Sequence, residues 1–429
     1  MTSISAWSQI VVQFSAIFTQ PTAHVFAELI SGWSLCPTRK TVTGMIGFMH
    51  PKKRRPHDAY HRFFPDARWS TAELWRRLLT WLIEYFYPTG VIPLDLDDTV
   101  FHRTGPRVSG AGWWRDAVRS TGTKVIHCWG LNLVVLTLRV IPPWAGEPLG
   151  LPINLRLHRK KGPSLIDLAE QMLIEITEWL DQRSFSLCAD GFYASLAGRD
   201  LSRMHLTSRM RCDAAIYELP PKNCPQGKRG PKPKKGKRLP TPLQLANRIR
   251  KWDRVNTQER GHQRVRLVYT KVVIWYKVSA QPVLLVISRD REGKEKDDFF
   301  FTTDIDASGT VVIETFAGRW SIEDTFKNTK QYLGAEQPQT WKGQGPERAA
   351  VMGLWLYSVI WAWYIRHVYR TGTVQTKPWY LGKVNPSFQD ALAALRRVLW
   401  RERIIAMFEK HPVPKRIANF LVDSLSAAA

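Results

Sequence analysis

A mixed α/β fold is predicted by three observations. Stretches 91–97, 124–140, 149–158 and 185–189 are rich in β-branched residues or alternate in polarity, and read as strands. Between the third and fourth lies a strongly amphipathic segment, 164–181, carrying Leu165, Leu168, Met172, Leu173, Ile176 and Leu180 at helical spacing behind Ser164 as its cap. Helical periodicity fills both flanks, before residue 91 and from about 308 onward.

The first flank contains short helices. Val25, Phe26, Leu29 and Ile30 share one face of 22–33, and 41–48 is a second candidate beyond a turn that includes Pro37. A longer helix over 71–86 presents Trp75, Leu78, Leu79, Leu82 and Ile83 to a core, started by Ser70 or Thr71 with Glu73. We take 1–90 as a helical region and 91–219 as the first part of an α/β core. Residues 220–305 are a basic loop followed by a β-rich insertion separate from the first sheet. The loop, Gly227 to Arg238, is too rich in Pro, Gly and Lys to bury a core, and its Lys228, Arg229, Lys232, Lys234, Lys235, Lys237 and Arg238 suit non-specific phosphate contact. The insertion strands are 265–278, 282–288 and 299–303. Residues 306–345 return a helix to the core, and 346–429 form a helical C-terminal region.

With 429 residues and 44% hydrophobic content, the chain is long enough for a sizeable core. Its formal net charge of +25 favours a polyanionic partner, nucleic acid ahead of an anionic membrane surface. Five widely spaced cysteines, Cys36, Cys128, Cys188, Cys212 and Cys224, show no C-x-x-C pairing, which argues against a disulfide framework or zinc ribbon and for a reducing compartment. The N-terminus lacks the pattern of a secretory signal, so a cytoplasmic protein is expected. The uncharged run AAVMGLWLYSVIWAWYI, 349–365, is short for a membrane span and reads as a buried core helix.

Three segments place acids where chemistry could use them. Asp97 and Asp98 end the strand IPLDLDD, and Asp190 ends FSLCAD just before Gly191. In FAGRWSIEDTFKNTK, Arg319, Glu323 and Lys330 are spaced by four and seven, so a helix puts all three near one face. Carboxylates on rigid strand tips and a helix can hold metal ions for phosphodiester cleavage, with the two cations on phosphates. Ordinary strand-end caps and a solvated helix face are the plain alternative.

Phe316-x2-Arg319-x3-Glu323-x6-Lys330 resembles the Tyr-x2-Arg-x3-Glu-x6-Lys signature of the insertion-sequence-four superfamily of bacterial cut-and-paste transposases, with Phe in place of Tyr. Asp97-Asp98-Thr99 and Asp190-Gly191 are similar to its two strand-end acid motifs. The resemblance implies a ribonuclease H-like catalytic core with a β insertion. It implies a DDE transposase holding two Mg2+ ions, or Mn2+ as substitute, through Asp97 or Asp98, Asp190 and Glu323. It further implies Arg319, Lys330 and Phe316 beside DNA, transposon ends and target DNA as partners, and a homodimer in the DNA complex at the bacterial nucleoid. The family stacks a displaced base on an insertion-domain Trp; Phe299, Phe300, Phe301 and Trp275 are the rings available here. His57 and His61 are spaced as a helical metal pair without a third donor nearby and read as polar surface. The rival to the enzyme is a catalytically silent DNA-binding protein derived from a transposase. A membrane-surface protein is a poorer third reading.

Overall fold

Five helices precede the first strand: α1 (Ser3–Ser15), α2 (Gln20–Leu35), α3 (Val42–Gly47), α4 (His57–Phe63) and α5 (Thr71–Phe86). The computed structural model describes residues 3–49, 54–116, 119–144, 146–221, 233–370, 382–407 and 414–427; Lys228, Arg229 and Lys232 lie outside them. Ser70 caps α5 as expected, its Oγ accepting from Glu73 N.

The strands follow: β1 (Ile92–His102), β2 (Gly112–Arg115), β3 (His127–Val140) and β4 (Leu149–His158). Helix α6 (Leu165–Trp179) then leads into β5 (Phe185–Ala189) and β6 (Met204–Arg209). A full capping box, Ser164 with Asp167, starts α6. Strand β1 is antiparallel to β3 and parallel to β5, with β4 on β3 and β6 parallel to β5. Three antiparallel neighbours continued by two parallel strands, β4–β3–β1–β5–β6, are consistent with the ribonuclease H-like nuclease fold.

After the short α7 (Pro242–Ala246) come β7 (Asp253–Glu259), β8 (His262–Ile274), β9 (Pro282–Asp290) and β10 (Asp298–Thr302). The sequence pattern sets these insertion strands apart from the first sheet, and the structure does not. Strand β10 pairs antiparallel with β6, Phe301 opposite Ser208, so ten strands form one mixed sheet. Strand β6 would otherwise end the sheet with a row of unpaired backbone groups, and β10 covers that edge.

Helices α8 (Gly309–Gly318), α9 (Trp320–Gln331), α10 (Gly345–Trp363), α11 (Phe388–Met407) and α12 (Lys415–Ala427) complete the chain. The run that is apolar all round becomes α10, buried along its whole length, as the sequence predicts. Its Trp355 packs edge-on to Phe14 of α1, and Trp363 to Trp7. Trp33 of α2 donates from Nε1 to Leu333 O at 2.7 Å. The N-terminal helices therefore share one apolar core with α10 and the sheet. No helix among the described residues is long and apolar enough to cross a membrane.

One polar contact fixes α9 to the sheet. Asp95, fully buried on β1, accepts from Arg139 Nε at 2.9 Å and from Arg139 Nη2, and from Ser321 Oγ of α9 at 3.3 Å. Gly318, the last residue of α8, lies so close that a Cβ there would meet Arg139 Nη1 at 2.8 Å. Across the next turn, Thr325 Oγ1 donates to Gly150 O of β4 at 2.6 Å. Replacing Arg139 by Met leaves the Asp95 carboxylate buried without its cation, and urea unfolding should show a loss of about 3–5 kcal/mol. A loss below about 1 kcal/mol would mean that the pair does not hold this joint.

Candidate functional site

The register of β1 and β5 decides which acids meet. Leu96 lies opposite Ala189 in the parallel pair, so Asp97 and Asp190 follow at the same level. Asp190 leaves β5 there, but Asp97 and Asp98 do not end their strand as the sequence suggests, because β1 stays paired with β3 as far as His102. Side chains alternate along β1, which puts Asp97 on the same face as Asp95, toward α9, and Asp98 on the other.

Arg319, where α8 passes into α9, joins the sheet acid to the helix acid. Its Nη1 donates to Asp97 Oδ2 at 2.6 Å and its Nη2 to Glu323 Oε1 at 3.0 Å. Asp97 Oδ1 accepts from Asp98 N at 2.9 Å. Arg319 Nε is buried and has no hydrogen-bond partner among the described residues. Asp98 accepts from the Tyr193 hydroxyl at 3.1 Å, a residue of the 3-10 helix that begins at Gly191. Asp190 is exposed and caps that helix, accepting from Gly191 N, while its carbonyl accepts from Ser208 Oγ at 3.0 Å.

Electrostatics places these groups together. Burial raises the Asp97 carboxyl above its ordinary range, and Asp190 adds to the rise against the opposing pull of Arg319. Burial, then Asp97, then Asp190 push Asp98 up to about 6. Burial likewise raises Glu323, with Arg319 opposing and Asp97 adding. The cluster is thus short of positive charge, and its donors are hard oxygens of the kind divalent magnesium or manganese takes.

The remaining predicted residues are placed less uniformly. Lys330 is half-buried, donating to Thr99 Oγ1 at 2.8 Å and lying over the Phe101 ring. Phe316 packs against Phe300, with the guanidinium groups of Arg209 and Arg319 both close to its ring. Phe299, Phe300, Phe301 and Trp275 are all buried, Trp275 edge-on to Phe301, so each ring serves the core. Lys235 lies over the Tyr217 and Tyr276 rings, and backbone bonds between Glu218 and Lys237 tie down the end of the basic loop. His57 and His61 lie on the exposed surface of α4, as expected of polar surface.

Two features went unread in the sequence. Trp320, 38% exposed, is covered by Arg260 at 3.9 Å from the hairpin between β7 and β8. Both line a cavity of about 210 Å3 with Arg209, Arg264, Phe316 and Arg319. The position of Trp320 directly after Arg319 was the available signal. The second feature is a donor group on adjacent strands: the ligand atoms of His102, Asp116 and Cys128 lie within 4.8 Å of one another. Among the described residues this group, and not Asp97, Asp190 and Glu323, meets that spacing, because Arg319 occupies the space between Asp97 and Glu323. Arg119 Nε, 3.5 Å from Asp116, and the nearby Lys330 supply positive charge to the second group.

The raised Asp98 gives a stability prediction. With its folded pKa near 6 against 3.8, ionisation opposes folding: the cost is absent below about pH 4, grows between 4 and 6, and is complete above. In chelator-treated protein, Asp98→Asn should raise unfolding free energy at pH 8 by about 3 kcal/mol and leave it nearly unchanged at about pH 3.5. An equal gain at both values would show that Asp98 is not strained by its charge.

A family model described as DDE superfamily endonuclease matches residues 13–271, more than half of the chain. The match takes in β1, β5 and β7, ends within β8, and so stops before α8 and α9. No curated protein matches the chain. Such nucleases act on DNA, and divalent metal ions are typical of them. The chain belongs to the DDE superfamily endonucleases.

Proposed function

We propose that the protein is a transposase of the insertion-sequence-four superfamily, cutting DNA at the ends of a mobile element and joining the freed 3′-hydroxyl to target DNA. The observation that carries this reading is the Asp97–Arg319–Glu323 bridge. It unites the middle of β1 with a helix more than two hundred residues away in the chain, at the level where Asp190 leaves β5.

Asp97, Asp190 and Glu323 would hold two Mg2+ ions, with Mn2+ as substitute, and Asp97 is preferred to Asp98 because it alone of the two meets Arg319. The donor set and its charge deficit fit such ions. When bound, divalent ions activate an attacking oxygen and stabilise the leaving one. Arg319 holds Asp97 and Glu323 toward each other and, as a lining residue of the cavity beside Trp320, would add its charge to a phosphate bound there. Tyr193 restrains Asp98. Arg209, Arg260 and Arg264 extend the positive wall past Trp320, where a DNA backbone would run. On this reading 1–90 recognises the element end, the Lys-rich loop around Lys234, Lys235, Lys237 and Arg238 grips the backbone, and two copies pair the ends.

The test is cleavage of a supercoiled plasmid carrying the element end, in Mg2+, by wild type, Asp190→Ala and Glu323→Ala. Wild type should nick or cut, and each variant should lose at least about 100-fold, more than the loss typical of a residue that merely supports a metal ligand. Wild-type binding without cutting would overturn the enzyme reading in favour of a silent DNA-binding derivative. Replacing Arg319 by Lys should also weaken cutting, by about 10–100-fold, since one ammonium cannot keep both carboxylates and a phosphate in a fixed fork; an unimpaired variant would remove Arg319 from the machinery.

A further inference from the structure

A cavity of about 560 Å3 opens at the far end of β1, between the Arg103–Val108 segment and Gln339–Trp341. Its two walls are tied by Ser109 N to Trp341 O at 2.8 Å, and Trp129 Nε1 holds Gly105 O at 3.0 Å. Arg103 lines it and is only 9% exposed. Nη1 of Arg103 donates to the carbonyls of His102 and Glu336, but Nε and Nη2 have no hydrogen-bond partner among the described residues. Thr340, 8% exposed on the opposite wall, has an Oγ1 that also lacks a partner among the described residues.

Arginine carries five donors and no acceptor, so only an acceptor brought from outside can relieve two unmet guanidinium nitrogens. Burial already pulls Arg103 down to about 10, and the Glu336 carboxylate offsets this only in part. These atoms are shielded from bulk water, so solvent does not meet them, and the exposed rim must move aside for a ligand. That rim is Arg107 and Trp341, the latter 49% exposed with Lys342 Nζ 4.9 Å from its ring. A buried cation, a hydroxyl, a rim cation and a half-exposed indole together suit a phosphate attached to a planar base.

We propose that this cavity is a second DNA-contact site that takes one nucleotide of a single strand, its phosphate at Arg103 and Thr340 and its base on Trp341. The identity of the strand rests on the nuclease reading above. His102 is five residues beyond Asp97 on β1, about 16 Å, the axial length of roughly five phosphates of one DNA strand. The site would therefore hold DNA well to one side of the carboxylates.

The experiment measures binding of a labelled single-stranded DNA of about 20 nucleotides, longer than one binding footprint, to the full chain in EDTA, using wild type, Trp341→Ala and Arg107→Gln. Both variants alter the exposed rim, so folding is not at stake. Trp341→Ala should weaken binding about tenfold, and Arg107→Gln should lower the dependence of log affinity on log salt by about one. Unchanged affinity and salt slope in both variants would overturn the site. So would a mononucleotide that needs Trp341 while the longer strand does not, since the cavity would then serve a free small anion. Because the assay contains no divalent metal, its outcome is separable from cleavage. A protein that binds through Trp341 yet never cuts overturns only the nuclease reading. One that cuts normally and binds the strand equally well as Trp341→Ala overturns only this site.

Discussion

The buried Asp95–Arg139 pair is the constraint on which the arrangement of the carboxylates depends. It joins β1 to β3 inside the sheet and, through Ser321, takes hold of α9. Gly318 gives the guanidinium room where any side chain would collide with it. With α9 seated there, Arg319 and Glu323 face Asp97. An ion pair of this kind adds little net stability over an apolar substitute, but breaking it leaves a stranded charge, so it defines one seating of the helix against others.

Asp95 and Asp97 show how neighbouring acids on one strand face acquire opposite characters. The first is matched by a cation of its own and carries no charge deficit toward solvent. The second shares Arg319 with Glu323 and feels Asp98 and Asp190 nearby. A chain with a formal charge of +25 thus keeps a small electronegative patch where β5 ends beside the middle of β1. Such a patch is a cost to folding that a purely structural protein has no reason to keep.

Much of the fold was legible because the signals were local. Ser164 with Asp167 announces α6, the uninterrupted apolar run announces α10, and alternation announces β3 and β4. What local pattern cannot supply is the partner across space. IPLDLDD presents three aspartates, and nothing in that string says that Asp95 is claimed by Arg139, forty-four residues on. The pairing of Phe301 with Ser208 is equally invisible: FFF at 299–301 reads as a strand without revealing that β6 is its neighbour. Arg319, Glu323 and Lys330 do lie on one helical stretch, but Lys330, about two turns beyond Glu323, meets Thr99 and not the acids.

The union of β10 with β6 has a mechanical meaning. A domain tethered by flexible linkers can swing over a substrate as a lid, but strands that share one hydrogen-bonded ladder with β1 and β5 move only if that ladder breaks. The gap between Arg260, on the outer hairpin, and the carboxylates beside Trp320 is therefore set by the sheet and its twist. On the proposed reading, a duplex too straight or too stiff for this gap finds no accommodation in the protein. The work of fitting falls on the DNA, and steps that bend or unstack easily would be favoured without any base being read.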